Sequence, residues 1–206
     1  MPQASGDWGR TKAAYRLWDN AKVSEESILE GHRSSALERM KGHNVVLAVQ
    51  DTTDFNFTHH RAKSEAAGFG PISAHEHVLG LKLHTTFAVS GSGVPLGVLD
   101  QQSWARKKEK GKGKGKGKGK GKSQKAIAGK GWKGKESLRW LKAQVGSELD
   151  VPEGVKLVTV ADRESDIYEL MALERSENVH VLLRVCRDRK VDHPEQKLKA
   201  AMTTAA

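Results

Sequence analysis

Two short, almost wholly apolar runs, VVLAV at 45–49 and VKLVTVA at 155–161, stand far apart in the chain, and each gives way at once to polar residues. Continuous runs of this length, rich in β-branched residues, are the pattern of central strands covered on both faces. Asp51 lies at the C-terminal edge of the first run and Asp162 directly follows the second. The fold must therefore bring two distant strands into one sheet, each delivering a carboxylate at the same kind of edge.

The segments between and around these runs fill in the layer. Residues 11–40 read as two short helices, the second opened by Ser24 as N-cap with Glu25 and Glu26 in its positive-potential first turn. From Gly80, LKLHTTFAV alternates, with Leu81, Leu83, Thr85, Phe87 and Val89 sharing one face, and the turn at GSG 91–93 returns the chain as VPLGVLDQQSW, a hairpin. ESLRWLKAQVG at 136–146 sets Leu138, Leu141 and Val145 on one helical stripe and ends at Gly146 as C-cap. A helix DIYELMALER and a last strand, VHVLLRV at 179–185, precede a polar tail. Strands alternating with helices in the later half imply an α/β layer with a parallel crossover. The expected architecture is a ribonuclease H-like mixed sheet with flanking helices, incomplete and preceded by a short helical segment.

Charge narrows the partners less than its size suggests. The formal net charge is +10, but residues 107–122 hold nine lysines and one glutamate, a net of +8, which leaves +2 for everything else. The basicity belongs to one KGKGKG tract, expected to be a disordered insertion over 107–135, because glycine maximises chain entropy and the lysines repel one another. Cys186 is the only cysteine, which excludes an internal disulfide and a cysteine-rich zinc cage. No apolar run approaches the roughly 20 residues of a membrane-spanning helix, and MPQASGDWGR lacks the apolar core of a secretory signal. The expectation is a soluble cytoplasmic protein with no membrane partner.

Asp51 and Asp162, on adjacent strands, would face one cleft and repel unless cations bridged them. Hard oxygen ligands of this kind suit Mg²⁺ or Mn²⁺, and paired ions about 3.5–4 Å apart serve in-line phosphodiester displacement. Either aspartate alone would more often be a strand terminator, since aspartates end β pairing and start turns. Only the pair, in this order of elements, favours catalysis.

Beyond that pattern, GDWGRTKAAYRLWDN (6–20), ILEGHRSSALERM (28–40), VVLAVQDTTDFNFTHH (45–60) and VTVADRESDIYEL (158–170) resemble, in order, the blocks of the DDE transposases of the insertion-sequence-four family, the branch that includes the transposon-five enzyme. The resemblance runs from about residue 6 to about 190, broken by the lysine-glycine tract. It implies a remnant of a helical end-recognition domain at 1–43, a partial catalytic domain at 44–190 and a tail at 191–206. Asp51 and Asp162 then correspond to the first two metal ligands. Glu164 becomes a supporting neighbour, and Arg163 a partner for a carboxylate or phosphate. The third ligand of the family, a glutamate in a Y-x-x-R-x-x-x-E helix, has no counterpart here. The resemblance thus implies a chain truncated at both ends and inactive alone. Its intact parent would cut double-stranded DNA at transposon ends and join it to target DNA as a homodimer.

Other signals carry less. Thr52 and Thr53 either orient Asp51 or pack at a turn, and packing is the preferred expectation. His59, His60, His75 and His77 lack the firm spacing of a zinc site and read as solvated loop residues. Gly121-Lys122-Ser123 fails as a phosphate-binding loop because position 116 is lysine rather than glycine. Trp8, Tyr15 and Trp18 could stack on DNA, yet the helical spacing of Tyr15 and Trp18 assigns them to a core, which leaves Lys12 and Arg16 for DNA-backbone contact. The alternative function is a non-catalytic DNA-binding remnant acting through its lysine tract. In that case deleting 107–122 removes DNA affinity and its salt dependence, while Asp51→Asn changes nothing.

Overall fold

The structure, a computed structural model, describes residues 2–107 and 136–204. The expected lysine-glycine insertion therefore lies almost wholly outside the described residues. In chain order the elements are α1 (Pro2–Ser5), α2 (Trp8–Trp18), α3 (Glu25–Met40), β1 (Val45–Asn56), a 3₁₀ turn (Thr58–His60), α4 (Arg61–Ala66), β2 (Gly70–Pro71), β3 (Leu79–Ser90) and β4 (Pro95–Trp104). Beyond the insertion follow α5 (Leu138–Glu148), β5 (Lys156–Ala161), a 3₁₀ turn (Arg163–Ser165), α6 (Tyr168–Met171), β6 (Val179–Leu183) and α7 (Leu198–Thr204).

This is an α/β fold built on one mixed sheet. β3 pairs antiparallel with β1 on one side and with β4 and the short β2 on the other. β1 pairs parallel with β5, and β5 parallel with β6. The parallel crossover inferred from the alternation is thus present twice, with α5 carrying the chain from the hairpin to β5. Ser24 caps α3 as expected: its hydroxyl accepts the Ser27 N–H, and the Ser27 hydroxyl accepts the Ser24 N–H, satisfying two donors that a helix start leaves unpaired.

Both α3 and α5 lie on the same face of the sheet. Ala36 and Met40 of α3 pack with Val46, Ala48, Ala88, Leu96, Leu99 and Leu157 in the main core, and Trp140 of α5 closes a second cluster with Ala161 and Leu170. Gly97 makes the first approach possible. Its φ of +138° sits at a register shift in the hairpin, and a Cβ there would come within 3.1 Å of the Ala36 Cβ.

Three expectations are corrected. VVLAV is covered on one face, not two: Val46 and Ala48 are buried, whereas Val45 and Val49 are exposed. In α5 the buried stripe is Trp140, Ala143, Gln144 and Ser147, while Val145 is exposed, and the helix runs through Gly146 to Glu148. The reason is contact with β4, since a Cβ on Gly146 would stand 2.8 Å from the Asp100 carboxylate, so this glycine serves close packing rather than a cap. The segment 166–175 makes only a single helical turn, because the side chain of Arg175 donates to the carbonyls of Leu170 and Met171 and closes the helix there.

Candidate functional site

β1 and β5 run parallel in a register that ends at Gln50 opposite Ala161. Asp51 and Asp162 are the next residue on each strand. Gln50 and Ala161 are both buried beneath the helices, so strand alternation turns the two aspartates to the opposite, open face, where both are exposed. Asp51 does not end its strand as anticipated. β1 continues to Asn56 against β3, and only its parallel pairing stops before Asp51. Asp162 does leave its strand, in an extended conformation that caps the following 3₁₀ turn.

Each carboxylate is oriented by a nearby backbone N–H. Thr52 N–H donates to Asp51 Oδ1 at 2.7 Å, and Glu164 N–H donates to Asp162 Oδ1 at 2.9 Å. One oxygen of each aspartate thereby meets a backbone N–H one or two residues ahead in the chain. Hard carboxylate oxygens in this number fit Mg²⁺ or Mn²⁺ in kind, because Mg²⁺ keeps several waters and is commonly bound by one or two carboxylates. Among the described residues no group of three His, Cys, Asp or Glu side chains is close enough to cage an ion, and the four loop histidines stay apart from both aspartates as solvated residues.

Beneath this pair, on the helix-covered side, lies a network that the sequence did not disclose. Arg139 of α5, its side chain only 12% exposed, donates from Nε to Thr52 Oγ1 at 2.9 Å and from Nη2 to Glu164 Oε2 at 2.7 Å, while Nη1 holds the Glu136 carbonyl at 3.0 Å. Thr52 Oγ1 also lies 2.8 Å from Nδ1 of His84, its cross-strand neighbour on β3. Thr52 therefore does not pack at a turn. It is a mid-strand residue whose hydroxyl is bound on two sides.

His84 is wholly buried, with Trp140 edge-on to its ring at 4.5 Å between centroids. Burial, assisted by the Arg139 charge, lowers its pKa to about 4, so the ring is neutral at ordinary pH. Arg163, expected to pair with a carboxylate or a phosphate, is exposed and makes no ion pair among the described residues; it is Arg139 that pairs with Glu164. Only its place ahead of Trp140 on a predicted helix was visible in the sequence, with nothing to distinguish it from other surface cations.

Two neighbouring features frame the site. Arg106 and Glu136, which flank the insertion, form an ion pair that Trp104 Nε1 joins. Downstream, the buried Asp166 accepts the N–H groups of Cys186 and Arg187 and pairs with Arg189. Burial works against its charge, but these donors outweigh burial and hold its pKa at about 2. A concavity of about 690 Å³ between α3, β4 and α5 is on the helix-covered side and includes neither Asp51 nor Asp162.

Near the start of the chain, α2 is capped by Asp7, packs against α1 and buries only Thr11. Tyr15 and Trp18 meet edge to face at 5.9 Å and are more than half exposed, which overturns their assignment to a core. Together with Lys12, Arg16 and Asp19 they line a shallow concavity of about 450 Å³. The family model described as transposase DNA-binding matches residues 1–23. This segment is a transposase-related DNA-binding region. No curated protein matches the chain. The exposed cations and aromatics of α2 fall within the matched segment. Among the described residues, no helix is long and apolar enough to cross a membrane.

Proposed function

We propose that this chain belongs to a cut-and-paste DNA transposase of the insertion-sequence-four kind, with a ribonuclease H-like core in which Asp51 and Asp162 hold a divalent cation. The observation that carries the reading is the parallel register of β1 and β5, whose last pair, Gln50 and Ala161, immediately precedes the two aspartates, in a chain whose first residues match a transposase DNA-binding model.

Each part of the chain has a distinct task in this reading. Lys12 and Arg16, one helical turn apart on the exposed face of α2, contact the DNA backbone, with Tyr15 and Trp18 available to stack beside them. Thr52 and Glu164 orient the aspartates through their backbone N–H groups. Asp51 and Asp162 would hold Mg²⁺ or Mn²⁺, which when bound activates a water or a 3′-hydroxyl and stabilises the leaving oxygen of a phosphodiester. Arg163, exposed on the turn next to Asp162, is placed to meet a DNA phosphate. Transposon ends and target DNA are the substrates of this reading, and a homodimer bridging two ends is the assembly that goes with it.

Calorimetric titration of Mn²⁺ into the whole chain, and into Asp51→Asn and Asp162→Asn, tests the metal site. A binding event in the parent that disappears in both variants supports it, and equal binding in all three rejects it. In a duplex-binding titration, Lys12→Ala with Arg16→Ala should weaken binding across sequences and reduce the salt slope by about 2.

A further inference from the structure

The two carboxylates are oriented by two N–H groups, and those groups belong to Thr52 and Glu164, the two residues that the Arg139 side chain grasps. One guanidinium therefore reaches both aspartate-bearing segments, one on β1 and the other just past β5. It does so from the helix-covered side, opposite the face that Asp51 and Asp162 present.

We propose that Arg139 is a positioning residue that fixes the Asp51 and Asp162 segments relative to each other by donating at once to Thr52 and Glu164. This rests on the divalent-cation reading above. The fork shape of the guanidinium is essential to it, because a single ammonium cannot reproduce parallel donations in fixed directions. The guanidinium is itself held in place: its Nη1 is anchored on the Glu136 carbonyl, and its Cζ lies over the Trp140 ring, 5.1 Å from the ring centre. Thr52, for its part, is held from a second side by His84.

The sign of the effect on metal binding separates positioning from plain electrostatics. Arg139 is a cation near a cation site, so deleting its charge alone would tighten divalent binding. If it positions the ligands, deleting it weakens binding, and losses of about 10-fold are typical when groups behind metal ligands are removed.

Mn²⁺ titration of the whole chain decides the matter, with thermal melts of each variant alongside. Arg139→Gln and Arg139→Lys should each bind Mn²⁺ about 10-fold more weakly than the parent. Thr52→Val, which removes one arm of the network without changing charge or size, should weaken binding several-fold, and adding it to Arg139→Gln should cost little more. If the Arg139 variants fail to fold, Thr52→Val alone carries the test, and parental Mn²⁺ affinity in it overturns the proposal. Arg139→Gln that binds as tightly as the parent or tighter, while Asp51→Asn abolishes binding, overturns the positioning role and leaves the metal site standing. Binding unaffected by Asp51→Asn and Asp162→Asn overturns both.

Discussion

The two faces of the central sheet are built on opposite rules. The face beneath α3 and α5 is covered, yet towards its α5 end it is polar: Gln50, His84, Thr86 and Thr159 are buried there, together with Gln144 of the helix. Several of their polar atoms, His84 Nε2 and the Gln50 amide among them, have no hydrogen-bond partner among the described residues. The opposite face carries Leu47, Val49, Phe87, Val158, Val160 and Leu182, and it is apolar but incompletely covered, with Leu182 62% exposed. Asp51 and Asp162 sit at the end of this apolar, open face. Buried polar groups demand fixed geometry from their neighbours, because every unmet donor or acceptor in a low-dielectric interior is costly. From the covered side Arg139 reaches Thr52 and the exposed Glu164, and the open face presents the carboxylates that accept the N–H groups of those two residues.

Trp140 is the largest side chain closing the polar end of the covered face, and replacing it breaks the comparison hardest. Trp140→Ala should lower unfolding free energy by about 3–5 kcal/mol, read as a shifted midpoint in denaturant melts. It should also loosen Arg139, which lies over the same ring.

A pH series probes the same face next. The His84 ring has its ordinary pKa of 6.5 in the unfolded chain and about 4 in the folded one. Above pH 6.5 both states are neutral and the ring carries no penalty. Between 6.5 and about 4 the unfolded chain takes up a proton that the folded chain refuses, so stability falls with pH, by up to about 3 kcal/mol at the acid end. His84→Gln should flatten this part of the curve in urea melts, and an unchanged slope would mean that the ring titrates normally.

The open face should answer weakly. Val49→Thr and Leu182→Thr, both on exposed positions, should shift stability by less than about 0.5 kcal/mol, whereas the same change at buried Leu157 should cost several times more. A large loss from Leu182→Thr would show that this face is covered in solution.

The same contrast separates what the sequence disclosed from what it hid. β1, the β3–β4 hairpin, β5 and the Ser24 cap were legible because they depend on local pattern: apolar runs, alternation, a turn and a capping hydroxyl. Asp162 was legible as the residue that follows β5, whereas Asp51 stands inside β1, one step past the end of its parallel pairing, because β1 continues against β3 alone. The α5 stripe was not, because periodicity assumes that helices bury their apolar side, and α5 lies on a polar patch of sheet that takes Trp140, Gln144 and Ser147 instead of Val145. Arg139 was invisible for a related reason, since its partners, Thr52 and Glu164, come from distant segments and only the fold assembles them. Tyr15 and Trp18 followed the spacing of a core helix, but α2 has little besides α1 to pack against.

The most direct test of the central claim is anomalous diffraction from crystals of the chain grown with Mn²⁺. The account predicts a Mn²⁺ peak within about 2.0–2.2 Å of an oxygen of both Asp51 and Asp162, a normal distance for a small hard cation on carboxylates. A peak on only one of them, or Mn²⁺ bound elsewhere with both aspartates untouched, would contradict it.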